Sequence, residues 1–219
     1  MQGEDCEFDS RQLHQIKKMR IVLISDTHNC TPELPDGDVL VHAGDATMMG
    51  TKEEVNQFND WLCTLRSKYK HILFVPGNHD FLFEQVAITW FTTLINQSIV
   101  IDGIKFWGSP YTLKLFNWAF MKSEVELAKV WSHIPDKIDV LITHGPPKGI
   151  LDRTISGENV GSQSLLDRSR IVRPKVHVFG HIHEAYGSQY NRAVHYINAS
   201  IVNEYYQNVN KPVVIDIGV

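Results

Sequence analysis

Cysteine is scarce in this chain: 219 residues carry three, Cys6, Cys30 and Cys63. Three scattered thiols make no disulfide framework, and an odd count suits a reducing compartment. Cys63 falls within a helical pattern and is expected to be a small buried hydrophobe. No apolar run reaches the roughly 18 residues that a membrane-crossing helix needs. The opening segment, MQGEDCEFDSRQLHQIKKMR, is polar and lacks the apolar centre of a signal peptide. Residues 1–19 therefore read as a flexible lead-in or short helix, and 20–219 as one domain. A lipid anchor is not expected. A cytoplasmic protein without a membrane partner is expected. Basic charge is also short, with 21 Lys and Arg against 25 Asp and Glu, a net charge of -4. That argues against a broad nucleic-acid surface. It does not oppose a small phosphate-bearing substrate, because bound metal ions reverse local charge. Repeats, low-complexity tracts and an interdomain linker are all missing.

What the chain does have is a core: 43% of its residues are hydrophobic and 21% are charged. Short β-branched runs bounded by polar residues predict buried strands at 20–25 (RIVLIS), 38–43 (DVLVHA), 71–75 (HILFV), 139–143 (DVLIT) and 175–179 (KVHVF). Two more follow around 194–198 and 212–217. Asp102-Gly103 between apolar runs predicts a hairpin. Helical spacing with a Thr or Ser cap and a following Glu predicts helices over 51–69 and 123–133. Further helices are expected over 84–96 and, shorter, 164–169. Strand–helix alternation in the first half and hairpins in the second indicate an α/β protein. About ten strands are too many for one flat sheet, so two packed mixed sheets with helices outside are expected.

The residues after these strands carry the chemistry. RIVLIS runs into Asp26-Thr27-His28, and DVLVHA into Gly44-Asp45. HILFVP runs into Gly77-Asn78-His79-Asp80, DVLIT into His144-Gly145, and KVHVF into Gly180-His181-Ile182-His183. Taken singly, each has an ordinary explanation: a turn cap, a loop aspartate, one histidine among eleven. Together, in order and all at strand ends, they point to one shared site, where α/β sheets commonly build sites. Oxygen and nitrogen ligands without cysteine suit Mn, Fe or Zn, and there are enough of them for two ions.

The series Asp-x-His, Gly-Asp, Gly-Asn-His-Asp, His and Gly-His-x-His resembles the calcineurin-like metallophosphoesterase superfamily. THGPPKGILD (143–152) and YINASI (196–201) look like its small metallophosphoesterase-domain proteins, near the class III cyclic nucleotide phosphodiesterases. The resemblance implies a four-layer α/β/β/α sandwich of two mixed β-sheets flanked by helices, with a binuclear centre. It assigns Asp26, His28 and His183 to a first metal ion and Asn78, His144 and His181 to a second, bridged by Asp45. Two divalent ions are implied, with Mn2+ favoured and Fe, Zn or Co as alternatives. His79 would be the substrate-facing catalytic acid, and Asn78 with His79 would touch substrate. The implied reaction is attack of a metal-bridging hydroxide on phosphorus, without a covalent enzyme intermediate.

Departures from the superfamily refine this. Protein phosphatases carry GDxVDRG, but here Gly44 to Gly50 reads GDATMMG. The arginine that would clamp a phosphomonoester is missing, which favours diesters. No tyrosine follows the bridging aspartate, so bound iron should give no tyrosinate colour. The leading expectation is a phosphodiesterase of small nucleotides, cyclic ones included. A phosphomonoesterase or nuclease on the same centre, or a nucleotide-binding scaffold of weak activity, are the alternatives. Around the site, His42 is expected to orient or pack, Asp80 to hold a turn, and Asp152 and Arg153 to lie in a solvated loop. Asn198 and Ser200 are expected either to support the site from a later strand or to serve as plain turn residues. His71, His133, His177 and His195 are expected to be structural or exposed. Trp107, Tyr111, Phe116, Trp118 and Phe120 are expected to pack as core, with base stacking as the alternative.

Overall fold

The computed structural model describes residues 18–84 and 91–218. Its elements in chain order are β1 (Lys18–Ile24), β2 (Val39–His42), α1 (Lys52–Thr64), β3 (His71–Phe74), β4 (Thr92–Thr93), β5 (Gln97–Ile101) and β6 (Ile104–Ser109). There follow β7 (Thr112–Leu113), β8 (Met121–Lys122), α2 (Glu124–Trp131), β9 (Val140–Thr143), α3 (Gln163–Val172), β10 (Val176–Phe179), β11 (Gly187–Asn191), β12 (Val194–Asn198) and β13 (Val213–Gly218). The strands form two large sheets, ordered β13-β1-β2-β3-β4 and β11-β12-β10-β9-β6-β5, and a small β7-β8 pair. Central strands run parallel; β13, β11 and β5 pair antiparallel at edges.

Alternation along β1 decides the layering. Ile21 and Leu23 face a core shared with Phe106, Val140, Ile142 and Val178 of the other sheet. Val22 and Ile24 point the opposite way, onto Val55, Phe58 and Leu62 of α1. The second sheet repeats the pattern, turning Trp107 and Leu141 outward onto Leu127 and Trp131 of α2 and Leu165 and Val172 of α3. Helix, sheet, sheet, helix is the four-layer sandwich expected from the sequence. Capping boxes start α1 at Thr51 with Glu54 and α2 at Ser123 with Glu126, each pairing two otherwise orphaned backbone donors. The Asp102-Gly103 turn does join β5 to β6.

Several expectations change. Of the helix expected over 84–96, residues 85–90 lie outside the described residues, and Thr92–Thr93 forms a strand beside β3. The β-branched Thr pair prefers the sheet edge that β3 leaves open. β11, β7 and β8 had no sequence signal strong enough to mark them. Helix α3 is longer than its expected span of 164–169, because Ser162 caps it at the Leu165 amide and Arg173 ends it in a left-handed conformation. Cys63 is exposed, not buried. Val55, Phe58 and Leu62 set the buried face of α1, and the next position turns about 100° away from it.

The parallel registers align the C-terminal ends of the central strands. Ile24 pairs with His42, and His42 with Phe74. In the second sheet Ile142 pairs with Val178, and Phe179 with Asn198. The sheets join at this end, where the Ser25 amide donates to the Ala199 carbonyl at 2.9 Å and the Ile201 amide to Ser25 at 2.8 Å. All five polar clusters leave the strands at this seam.

Candidate metal centre

At the seam Asp26, His28 and His183 place ligand atoms within 4.8 Å of one another, and Asp45, His144 and His181 do the same. The Asn78 side-chain oxygen Oδ1 lies 2.9 Å from His144 Nε2, and Asp45 Oδ2 lies 3.2 Å from that nitrogen. His79 also belongs to the cluster, grouped with His28 and Asp45. All eight residues named from the sequence therefore converge. Five of the neighbouring turn positions, Asp26, His28, Asn29, Asp45 and His181, are non-glycine residues at positive φ. Such strain persists only where surrounding structure enforces it, and it concentrates at functional sites.

Close packing explains the glycines. A Cβ on Gly77 would lie 2.2 Å from Asp45 Oδ1, and one on Gly180 would lie 2.0 Å from Asp26 Oδ2. Only glycine lets the backbone approach the carboxylates this closely.

Backbone carbonyls orient the rings. Nδ1 of His28 meets Thr47 O at 3.1 Å, that of His79 meets Met48 O at 2.7 Å, that of His144 meets Ala43 O at 3.0 Å, and that of His183 meets Asn203 O at 3.2 Å. A carbonyl only accepts, so each Nδ1 carries the proton and each Nε2 turns to the cavity. Such outer partners fix tautomer and ring direction for metal ligation. Asp26 is held by the His181 amide and by the Ser200 hydroxyl, which donates to Oδ2 at 2.8 Å. Asn198 donates to the Ile182 carbonyl between the two histidines. Ser200 and Asn198 thus both support the site.

Asp80 ties two turns together. Its buried carboxylate accepts from the Gly77, Ala46 and Thr47 amides and from the Thr47 hydroxyl at 2.7 Å. His42 is buried beneath, with Nε2 at 2.9 Å from the Thr27 hydroxyl, and burial pulls it down to about 3.

The donor set fits a cation. Asp26 and Asp45 are buried, and among the described residues no lysine or arginine pairs with either. Buried carboxylates require a positive partner. Nε2 of His28 and Nε2 of His183 face each other at 3.3 Å. With both Nδ1 atoms protonated, the two rings in their neutral forms turn their lone pairs toward one point, the arrangement that a shared cation needs. Without a metal ion the histidines themselves carry the compensating charge. Burial pushes both carboxyls up, but His183 at Asp26 and His144 at Asp45 outweigh it and hold both well below the usual range. Burial lowers His144, yet Asp45 and Asp26 prevail and raise it to about 9. Burial dominates at His28 and His181, holding them near 4 and 3 as neutral imidazoles ready to ligate.

Above the ligands opens a cavity of about 310 Å³, lined by Asp45, Asn78, His79, His181 and His183 and by residues that sequence reasoning had not placed there. Glu184, Glu204 and Tyr206 carried no signal, since no spacing relates them to the strand ends. Tyr206 lies with its ring 4.8 Å from His28 and 5.2 Å from His183. The aromatic group expected to be core is divided. Trp107 and Phe120 are buried, whereas Phe116 and Trp118 are exposed on the cavity wall. Asp152 is not solvated: its buried carboxylate accepts from the Gly149 and Gly161 amides, because the 149–161 loop needs an internal acceptor. Arg153 is exposed, as expected. His177 is buried, and His195 stacks on Tyr190 at 4.1 Å.

A two-sheet sandwich with a carboxylate–histidine cluster at its strand ends is what a metallophosphoesterase requires, and comparison with known proteins agrees. The chain belongs to the calcineurin-like phosphoesterase family, whose profile matches residues 19–185. It is 36% identical to human metallophosphoesterase domain-containing protein 1, with 90% of this chain and 71% of the relative aligned. A probable glycerophosphodiester phosphodiesterase of Arcobacter nitrofigilis is 25% identical over 80% of this chain and 76% of its own. Among solved structures, the phosphopantetheinyl hydrolase of Mycobacterium tuberculosis shares the fold, with a TM-score of 0.56 at 16% identity, covering 90% of this chain and 95% of that one. Among the described residues no helix is long and apolar enough to cross a membrane.

Proposed function

We propose that this phosphoester hydrolase is a phosphodiesterase of small nucleotides, cyclic ones included, working with two divalent metal ions, Mn2+ first among them. One observation carries the diester preference. Among the described residues the cavity lining contains no lysine or arginine, and two glutamates, Glu184 and Glu204, stand on it. A phosphomonoester dianion would bring its second charge against these carboxylates; a diester monoanion has none to bring. The Arcobacter relative, named as a diesterase, supports the same reading.

In this reading Asp26, His28 and His183 would hold one ion and Asn78, His144 and His181 the other, with Asp45 as the ligand common to both. Bound metal would supply a water-derived nucleophile at neutral pH and stabilise charge on the phosphoryl oxygens. The chain's own residues do the rest. His79, anchored through Nδ1 to Met48, holds Nε2 toward the cavity 4.0 Å from Asp45 Oδ2. Protonated there, it gives its proton to the leaving alkoxide oxygen as the phosphorus–oxygen bond breaks. Water adds to phosphorus, and the products are a phosphomonoester and an alcohol.

The test compares bis(p-nitrophenyl) phosphate with p-nitrophenyl phosphate, each with Mn2+ and with chelator. Faster diester turnover that chelator abolishes is expected. A monoester preference would overturn the diesterase reading, and turnover unaffected by chelator would overturn the metal reading.

A further inference from the structure

Large apolar side chains left in water beside a polar reaction centre are unusual unless something covers them. Leu115, Phe116 and Trp118 are 75%, 57% and 39% exposed, and all three line the cavity over the metal-ligand cluster. Their segment is anchored at its base. The Lys114 amide donates to Lys122 O at 2.9 Å, the Thr112 amide donates to Phe120 O at 3.1 Å, and Ala119 and Phe120 are buried. The core thus takes the end of the segment and leaves its tip free. Trp118 is held edge-on against His79 at 4.3 Å, and Phe116 continues that surface, 6.0 Å from Trp118.

A second aromatic wall comes from far along the chain. Tyr206 has a positive φ, a costly conformation for an aromatic residue, and the Asn203–Gln207 turn maintains it. In that turn the Asn203 side chain accepts from the Tyr205 and Gln207 amides, and the Asn203 carbonyl receives the Tyr206 amide and His183 Nδ1. One turn therefore orients a metal-ligating histidine and sets a phenol ring over the ligands. His79 touches both walls, since Tyr206 lies 6.4 Å from it.

We propose that the Leu115–Phe116–Trp118 ledge and Tyr206 form an aromatic slot that receives a planar ring joined to the phosphodiester, so that the site selects nucleobase-bearing diesters over aliphatic ones. The proposal rests on the phosphodiesterase reading and names the substrate feature that this chain's own residues recognise. Stacking on an aromatic face accepts any base, because every base has a π-face. The rim carboxylates of Glu184 and Glu204 only accept hydrogen bonds, which favours ring edges carrying N–H groups and disfavours a further phosphate. A cavity of about 310 Å³ is at the lower end of ligand-pocket sizes, suited to one nucleotide.

The test uses the Mn2+-loaded protein with adenosine 3′,5′-cyclic phosphate and with the methyl riboside 3,5-cyclic phosphate, which keeps sugar, diester and charge but lacks the base. Affinity is read by calorimetry and turnover by chromatography of the product. The base-bearing ligand should bind about ten-fold tighter. Phe116→Ala should remove most of that margin, weakening the base-bearing ligand far more than the abasic one. Equal affinity of the two ligands, binding of neither, or a Phe116→Ala loss shared equally by both would overturn the slot. A base-dependent margin without hydrolysis of either ligand would uphold the slot and sink the phosphodiesterase reading. Hydrolysis of both with equal affinity would do the reverse.

Discussion

Asp80→Ala is the sharpest test of how this site is held together. The carboxylate it removes accepts from three amides, those of Gly77, Ala46 and Thr47, and from the Thr47 hydroxyl. The hydroxyl has a second acceptor in the His79 carbonyl at 3.2 Å, so three buried amides lose their partner. Each orphaned donor costs about 1–3 kcal/mol, roughly 6 kcal/mol together at mid-range. Part of this is offset. Burial, with the Asp45 charge beside it, pushes the Asp80 carboxyl up from 3.8 to about 6. Holding it ionised at pH 7 therefore costs about 3 kcal/mol, at about 1.4 kcal/mol per unit. The net loss expected is about 3 kcal/mol, or roughly 6–12 °C in Tm for a domain of this size. Urea and thermal unfolding in chelator at pH 7 would measure it. Asp80→Asn keeps one acceptor oxygen without the charge and should cost less than half as much. An Asp80→Ala protein within about 0.5 kcal/mol of the parent would refute the reasoning, because the tie between the Asp45 and Asn78 turns would then carry no weight.

His79→Ala should keep its full metal content by elemental analysis while turnover falls by about 10²–10⁴-fold; undiminished turnover removes His79 from proton transfer. In Gly180→Ala the new Cβ would lie 2.0 Å from Asp26 Oδ2 and 2.1 Å from Ser25 Oγ. Bound metal per chain should therefore fall although the circular dichroism spectrum is unchanged, and full metal content would show that the turn yields. His177 is pulled from 6.5 to about 3 by burial, away from the ligands. Between those values the unfolded chain takes a proton that the folded one refuses, so stability falls as pH drops and is fully present above pH 6.5. Relative to His177→Leu, the parent should lose about 1.4 kcal/mol per pH unit between pH 6 and 4 in urea titrations. A gap that does not change with pH would show that His177 titrates in the folded protein.

The strand ends were legible before any coordinates because their signals are local. A β-branched run bounded by Gly-Asp or Gly-His-Ile-His announces both the strand and the ligands, and the Asp102-Gly103 turn and the Thr51 and Ser123 caps lie within four residues of what they bond. Resemblance to the superfamily then supplied the sandwich and the grouping of ligands. What only the tertiary structure decided are the long-range partners. Ser200 reaches Asp26 across 174 residues, and the Asn203 carbonyl aims His183 from 20 positions away. Alternating burial says which face of a strand is apolar, but not which strand lies beside it. The exposed half of the aromatic cluster was illegible for a related reason. Phe116, Trp118 and Phe120 are alike in sequence, and only the packing of Phe120 into the core between the first sheet and α1 leaves the other two at the mouth of the site. Residue types and spacing along the chain determined the chemistry of the centre; the meeting of two sheets at one seam determined what surrounds it.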